Sequence, residues 1–217
     1  MTNLASGTQF PEKFPTHLLG PEQAGARLQP FTRPIAECIR RAWDDYIKEY
    51  AHVRHKHSAR TRATIIFDHI IDEAIAKFSG MVGATLKKQN GIYLLYIGDD
   101  LVLRFKKIGK DGRCHNIPTR QQNRFEAQRN LPSMEKGTML HAGYMLDELG
   151  QRIVAIRIVC QFARQVIWQI DLSEGGTENV VAMPSQPSMP IKPKSPRFER
   201  DTKETPAEPK VENSGKE

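Results

Sequence analysis

The sequence predicts an α+β domain: two N-terminal helices packed on a five-stranded, mainly antiparallel sheet made of a hairpin, a helix and a three-stranded meander. Three observations predict it. Apolar residues recur at spacings of three and four through residues 34–50 and 58–78. From residue 91 onward the apolar runs shorten to strand length and are separated by turn residues. From Ser173 the composition changes to proline, lysine and glutamate. The 217 residues therefore divide into an extended N-terminal arm (1–30), one α+β domain (31–172) and a tail expected to be disordered (173–217).

The arm carries Pro11, Pro15, Pro21 and Pro30, which argues against a long helix there. In the first helix Ile35, Cys38, Ile39, Ala42, Trp43 and Tyr46 share one face, with Thr32 as the expected N-cap and Pro34 in the first turn. The stretch Ala-His-Val-Arg-His-Lys-His breaks the pattern, and Ser58 is placed to cap the second helix. Ile66, Ile70, Ile71, Ala74 and Phe78 give that helix a broad apolar arc, and Gly80 and Gly83 end it. Residues 91–97 are apolar almost throughout, which suits a strand covered on both faces. Gly98-Asp99-Asp100 supplies a turn, and the return strand alternates Leu101, Leu103 and Phe105 with Val102, Arg104 and Lys106, predicting one wet face. Pro118-Thr119 opens a helix reaching about residue 130, and the meander follows over 139–146, 153–160 and 166–172.

Charge narrows the function classes. Formal net charge is +7. The stretch from Ser173 holds seven Lys/Arg against eight Asp/Glu, which leaves the rest of the chain near +8. A basic domain favours polyanionic partners, either DNA or RNA or an acidic protein. No apolar run reaches the length of a membrane helix, so no membrane partner is expected. Three widely spaced cysteines, Cys38, Cys114 and Cys160, are neither a disulfide framework nor a metal knuckle, which fits a reducing, cytoplasmic setting. Cys38 and Cys160 fall in apolar patterns, whereas Cys114 lies in a polar loop and is expected to be the exposed thiol.

The densest positive charge follows the hairpin: Arg104, Lys106, Lys107, Lys110, Arg113, Arg120, Arg124 and Arg129 face only Asp111 and Glu126 over the same span. Arg120 and Arg124 are one helical turn apart and share a face. These eight are the candidate nucleic-acid-binding residues; no catalytic residue, metal ligand or cofactor site is expected. Nucleotide-binding glycine loops and the zinc-protease and serine-hydrolase motifs are absent from the sequence. His52, His55 and His57 cluster, but Arg54 and Lys56 between them oppose a bound cation. Asp100 with Lys106 or Lys107 is a loose acid–lysine pairing without a motif.

Three families share features with short stretches. The run Gly-Ile-Tyr-Leu-Leu-Tyr-Ile-Gly has the letters of the GIY-YIG nucleases, but Tyr93 and Tyr96 fall on one strand, whereas that family places its triplets on two. The hairpin, the Phe105-Lys106-Lys107 run and the helix beginning at a proline resemble the second half of RelE/HigB-type toxins. That resemblance implies a small α+β ribonuclease using Arg104, Lys106 and Lys107, with His115 as a further candidate. Arg62 and His69 match the arginine–histidine spacing of HEPN ribonucleases, which implies a catalytic pair on the second helix. The leading expectation from the residues themselves is a non-enzymatic binding module with a basic surface. The alternatives are a RelE/HigB-like or HEPN-like ribonuclease toxin and a protein-binding member of a toxin–antitoxin or phage-defence pair.

Overall fold

The computed structural model describes residues 15, 18–114, 119–129, 137–162, 165–173 and 180–182. It is an α+β fold whose N-terminal helices precede the sheet: α1 (Pro21–Glu49), α2 (Ala59–Phe78), β1 (Ala84–Gln89), β2 (Ile92–Ile97), β3 (Leu101–Lys107), α3 (Arg120–Glu126), β4 (Thr138–Leu146), β5 (Ile153–Phe162), β6 (Gln165–Asp171) and β7 (Val180–Ala182). The strands form one sheet in sequence order, antiparallel except where β3 and β4 run parallel. A parallel pair needs a crossover, and α3 lies within it.

Helix α1 corrects the expected arm. It starts at Pro21 and runs through Pro30 and Pro34. Pro21 occupies the first turn, where its missing N–H costs nothing. The internal prolines are tolerated because Ala24, Leu28, Phe31 and Ile35 continue the buried stripe N-terminally. Thr32 is therefore mid-helix and caps nothing; its hydroxyl donates to the Gln29 carbonyl at 3.0 Å. Just before α1, the Leu19 N–H donates to Thr138 Oγ1 at 2.9 Å and its carbonyl accepts from Trp168 Nε1 at 3.1 Å. Of the arm before α1, Phe14 and His17 lie outside the described residues. Helix α2 begins as expected, with Ser58 Oγ accepting from the Thr61 N–H at 3.1 Å.

The sheet has seven strands where five were expected. Strand β1 was missed, although Asn90 (φ 48°) and Gly91 (φ 81°) form the two-residue hairpin link to β2 that their dipeptide favours. Strand β7 lies inside the stretch expected to be a disordered tail and pairs with β6 from Trp168–Ala182 to Ile170–Val180.

Strand alternation sorts the side chains into two layers. Leu95, Ile97, Leu101, Leu103, Phe105, Leu140, Ala142, Tyr144, Ile156, Ile158, Cys160 and Trp168 pack with α1 and α2 in the main core. The opposite face carries Leu94, Tyr96, Val102 and Met139, which pack under Phe125 of α3. Both faces of β2 are thus covered, as expected. The face of β3 expected to be wet is covered as well: Val102 is inaccessible and Arg104 is buried, because α3 folds over them.

Gly143 sits where β4 lies close against the end of β3. A Cβ built there would stand 1.8 Å from the Lys106 carbonyl oxygen and 3.0 Å from Ile108 Cγ1. Gly143→Ala is expected to cost roughly 2 kcal/mol or more, since backbone rather than a flexible side chain would have to move. A urea midpoint unchanged from that of the wild type would contradict this.

Candidate functional site

The face of the sheet beneath α3 holds most of the buried polar side chains: Arg104, Gln122, Gln128, His141 and Gln161. Thr119 Oγ1 starts α3 by accepting from the Gln122 N–H at 3.1 Å. One turn of helix then turns Gln122 and Phe125 inward and leaves Arg120 and Arg124 outward.

The inward side is a relay. Arg104 Nη1 donates to Gln122 Oε1 at 2.6 Å, and Gln122 Nε2 donates to Glu126 Oε1 at 2.8 Å. The guanidinium also lies over the Phe125 ring, 5.2 Å from its centre. Beside Arg104 in the parallel ladder is His141, whose ring meets Phe125 edge-on at 5.0 Å. His141 is 1% exposed, and neither ring nitrogen has a hydrogen-bond partner among the described residues. Burial, reinforced by the charges of Arg104 and Lys106, pushes its pKa down to about 3, so the imidazole is neutral. Burial also lowers the pKa values of Arg104 and Lys106, the latter with help from Arg104. The guanidinium nevertheless stays charged.

Gln128, in a left-handed conformation (φ 52°), closes the cluster. The β4–β5 ladder ends at Leu140 and Cys160, and the Gln128 amide takes over where the strands part. It accepts from the Met139 N–H at 2.7 Å and donates to the carbonyls of Met139 and Gln161, both at 2.8 Å. At the far edge the Cys114 N–H donates to Gln161 Oε1 at 3.3 Å. Cys114, expected to be an exposed thiol, is buried with Ile108, Val159 and Val166, and burial raises its pKa to about 12. That is the opposite of an activated thiolate.

The eight predicted basic residues do not form one set. Arg104 lies inside, under α3, and Lys106 is half-buried on the same side of β3. Lys107 is exposed on the alternate side, where Arg62 lowers its pKa after burial does. Lys110 pairs with Glu148 at 2.7 Å, and Arg113 with Asp111 at 2.6 Å. Arg120, Arg124 and Arg129 are exposed and have no ion pair among the described residues. Lys87 adds to them on the same face of the sheet, its ammonium 5.5 Å from the centre of the Tyr96 ring.

The residues tied to the family resemblances occupy varied places. His115 lies outside the described residues. Arg62 Nη1 donates to the Gly150 carbonyl at 2.8 Å, holding the turn between β4 and β5. His69 lies 3.6 Å from Glu49 and edge-on to Tyr50. Asp100 pairs with Arg27 of α1. It is six residues, about 20 Å of extended chain, from Lys106, so they form no acid–lysine pair. His57 Nδ1 is 3.1 Å from Tyr46 Oη, and no group of three His, Cys, Asp or Glu side chains is placed to hold a metal among the described residues. Sequence reasoning missed His141. The available signal was a histidine at the one basic position of an apolar strand, on the alternation opposite Leu140, Ala142 and Tyr144. No helix among the described residues is long and apolar enough to cross a membrane. The chain matches no protein-family model, no curated protein and no solved structure.

Proposed function

We propose that the protein is a binding module that engages the phosphate backbone of a nucleic acid through the outer surface of α3. The observation that carries this reading is the set Arg120, Arg124 and Arg129: three exposed guanidinium groups on one short segment, without an acidic partner among the described residues. Lys87 extends the positive surface along the sheet edge. Lys110 and Arg113 contribute less, because Glu148 and Asp111 already neutralise them. Guanidinium groups bind phosphate oxygens in pairs of hydrogen bonds, and such contacts fix position without reading sequence. Phosphate contacts carry no sequence information, so binding of low sequence specificity is expected.

Mobility shifts of DNA and RNA oligonucleotides over a salt series test the proposal. Each neutralised phosphate contributes about 0.9 to the slope of log K against log salt on duplex DNA. Arg120→Ala, Arg124→Ala and Arg129→Ala together should lower that slope by roughly 2–3 and weaken binding to both nucleic acids. Absence of binding at low salt would sink the nucleic-acid reading.

A further inference from the structure

We propose a second, deeper site on the same side of the sheet: a phosphate-sized anion site formed by Arg104, Lys106 and His141. Arg104 and Lys106 are two positions apart on β3 and so project from one face. Arg104 has one hydrogen-bond partner among the described residues, the neutral Gln122 oxygen, and Lys106 has neither a hydrogen bond nor an ion pair among them. Opposite Lys106 the partner strand carries Gly143, which has no side chain to pair with the ammonium. Opposite Arg104 is His141, buried with both nitrogens unbonded. Exposure rises from His141 at 1% through Arg104 at 7% to half-buried Lys106, so the three form a gradient from interior towards solvent.

Buried charge is normally paired, and a buried polar atom is normally bonded. Here two cations and an imidazole are gathered with Glu126 as the nearby carboxylate, and Gln122 already engages it. A phosphate group fits the deficit. It offers oxygens to the Arg104 fork and the Lys106 ammonium, and it accepts from whichever ring nitrogen of His141 bears the proton. The ligand class is a phosphate group, either free or at the end of a nucleotide chain. The site is separate from the arginines on the outer side of α3 and does not depend on them.

Calorimetric titration of the full chain with orthophosphate and with a 5′-phosphorylated dinucleotide, at matched ionic strength, tests the proposal. Saturable binding of at least one probe is expected; orthophosphate binding identifies a free anion, and binding of the dinucleotide alone identifies a strand end. The probe that binds should raise the Tm by about 3 °C or more at saturation. That rise should persist in the variant lacking Arg120, Arg124 and Arg129 and disappear in Lys106→Met and in His141→Leu. Binding of neither probe overturns the site, and so does an undiminished rise in either single variant. Because the titration uses the unmodified chain, it decides the matter even if a variant fails to fold.

Discussion

Acidification from pH 6.5 to pH 4.5 is expected to destabilise the protein, and His141→Leu to remove most of that loss. The imidazole titrates near 6.5 in the unfolded chain and near 3 in the folded one. Between those values the unfolded state binds one more proton, so stability rises with pH, by at most about 1.4 kcal/mol per unit. Well above pH 6.5 the histidine is neutral in both states and contributes no pH dependence. Glu37 is the opposite case: hydrogen bonds from Lys77 and Arg33 hold its pKa down to about 2 from 4.5, so its contribution is present above 4.5 and is lost below. The interval from 4.5 to 6.5 therefore isolates His141 from Glu37. Urea unfolding should show wild-type stability roughly 2–3 kcal/mol lower at the acidic end. His141→Leu should be nearly flat there. It should be neutral or stabilising near pH 7, since it removes two buried nitrogens without hydrogen bonds. Equal pH slopes in the two proteins would contradict this assignment.

The largest single loss of stability outside the apolar core is expected from Gln128→Leu. Its amide stands in for a strand residue where β4 and β5 diverge, so the substitution strands the Met139 N–H and the carbonyls of Met139 and Gln161. An unsatisfied buried group costs about 1–3 kcal/mol, so a total of roughly 4 kcal/mol is expected. Leucine is close in size, which separates this cost from that of a cavity. A measured loss below about 1 kcal/mol would show that the three groups find other partners.

Gln128 and His141 also show where sequence reasoning stops. The α+β class, the capping of α2 by Ser58, the hairpin of β2 and β3 and the meander of β4 to β6 were legible because each rests on local pattern. The N-terminal extension of α1 was not, because prolines argue locally against a helix that tertiary burial of Ala24, Leu28 and Phe31 sustains. Strand β1 had its signal in Asn90-Gly91, but its own residues, Ala-Thr-Leu-Lys-Lys-Gln, have weak strand character. The basic stretch was legible as charge and illegible as a surface. Alternation divides Arg104 from Lys107, α3 covers the former, and Asp111 and Glu148 neutralise two more. Which charges are left unpaired depends on residues distant in sequence, such as Lys110 and Glu148. The polar cluster under α3 brings together β3, β4, β5 and a short helix, and no spacing rule connects these.

The most direct test of the α3 surface compares two triple variants of equal charge loss in oligonucleotide binding over a salt series. One removes Arg120, Arg124 and Arg129; the other removes Arg54, Lys56 and Arg60, which are exposed in and just after the segment joining α1 and α2. If α3 contacts the phosphates, the first variant loses affinity by at least about tenfold and its salt slope falls by roughly 2–3, while the second stays close to wild type. Equal losses in the two variants would mean that net charge alone attracts nucleic acid and would contradict an interface on α3.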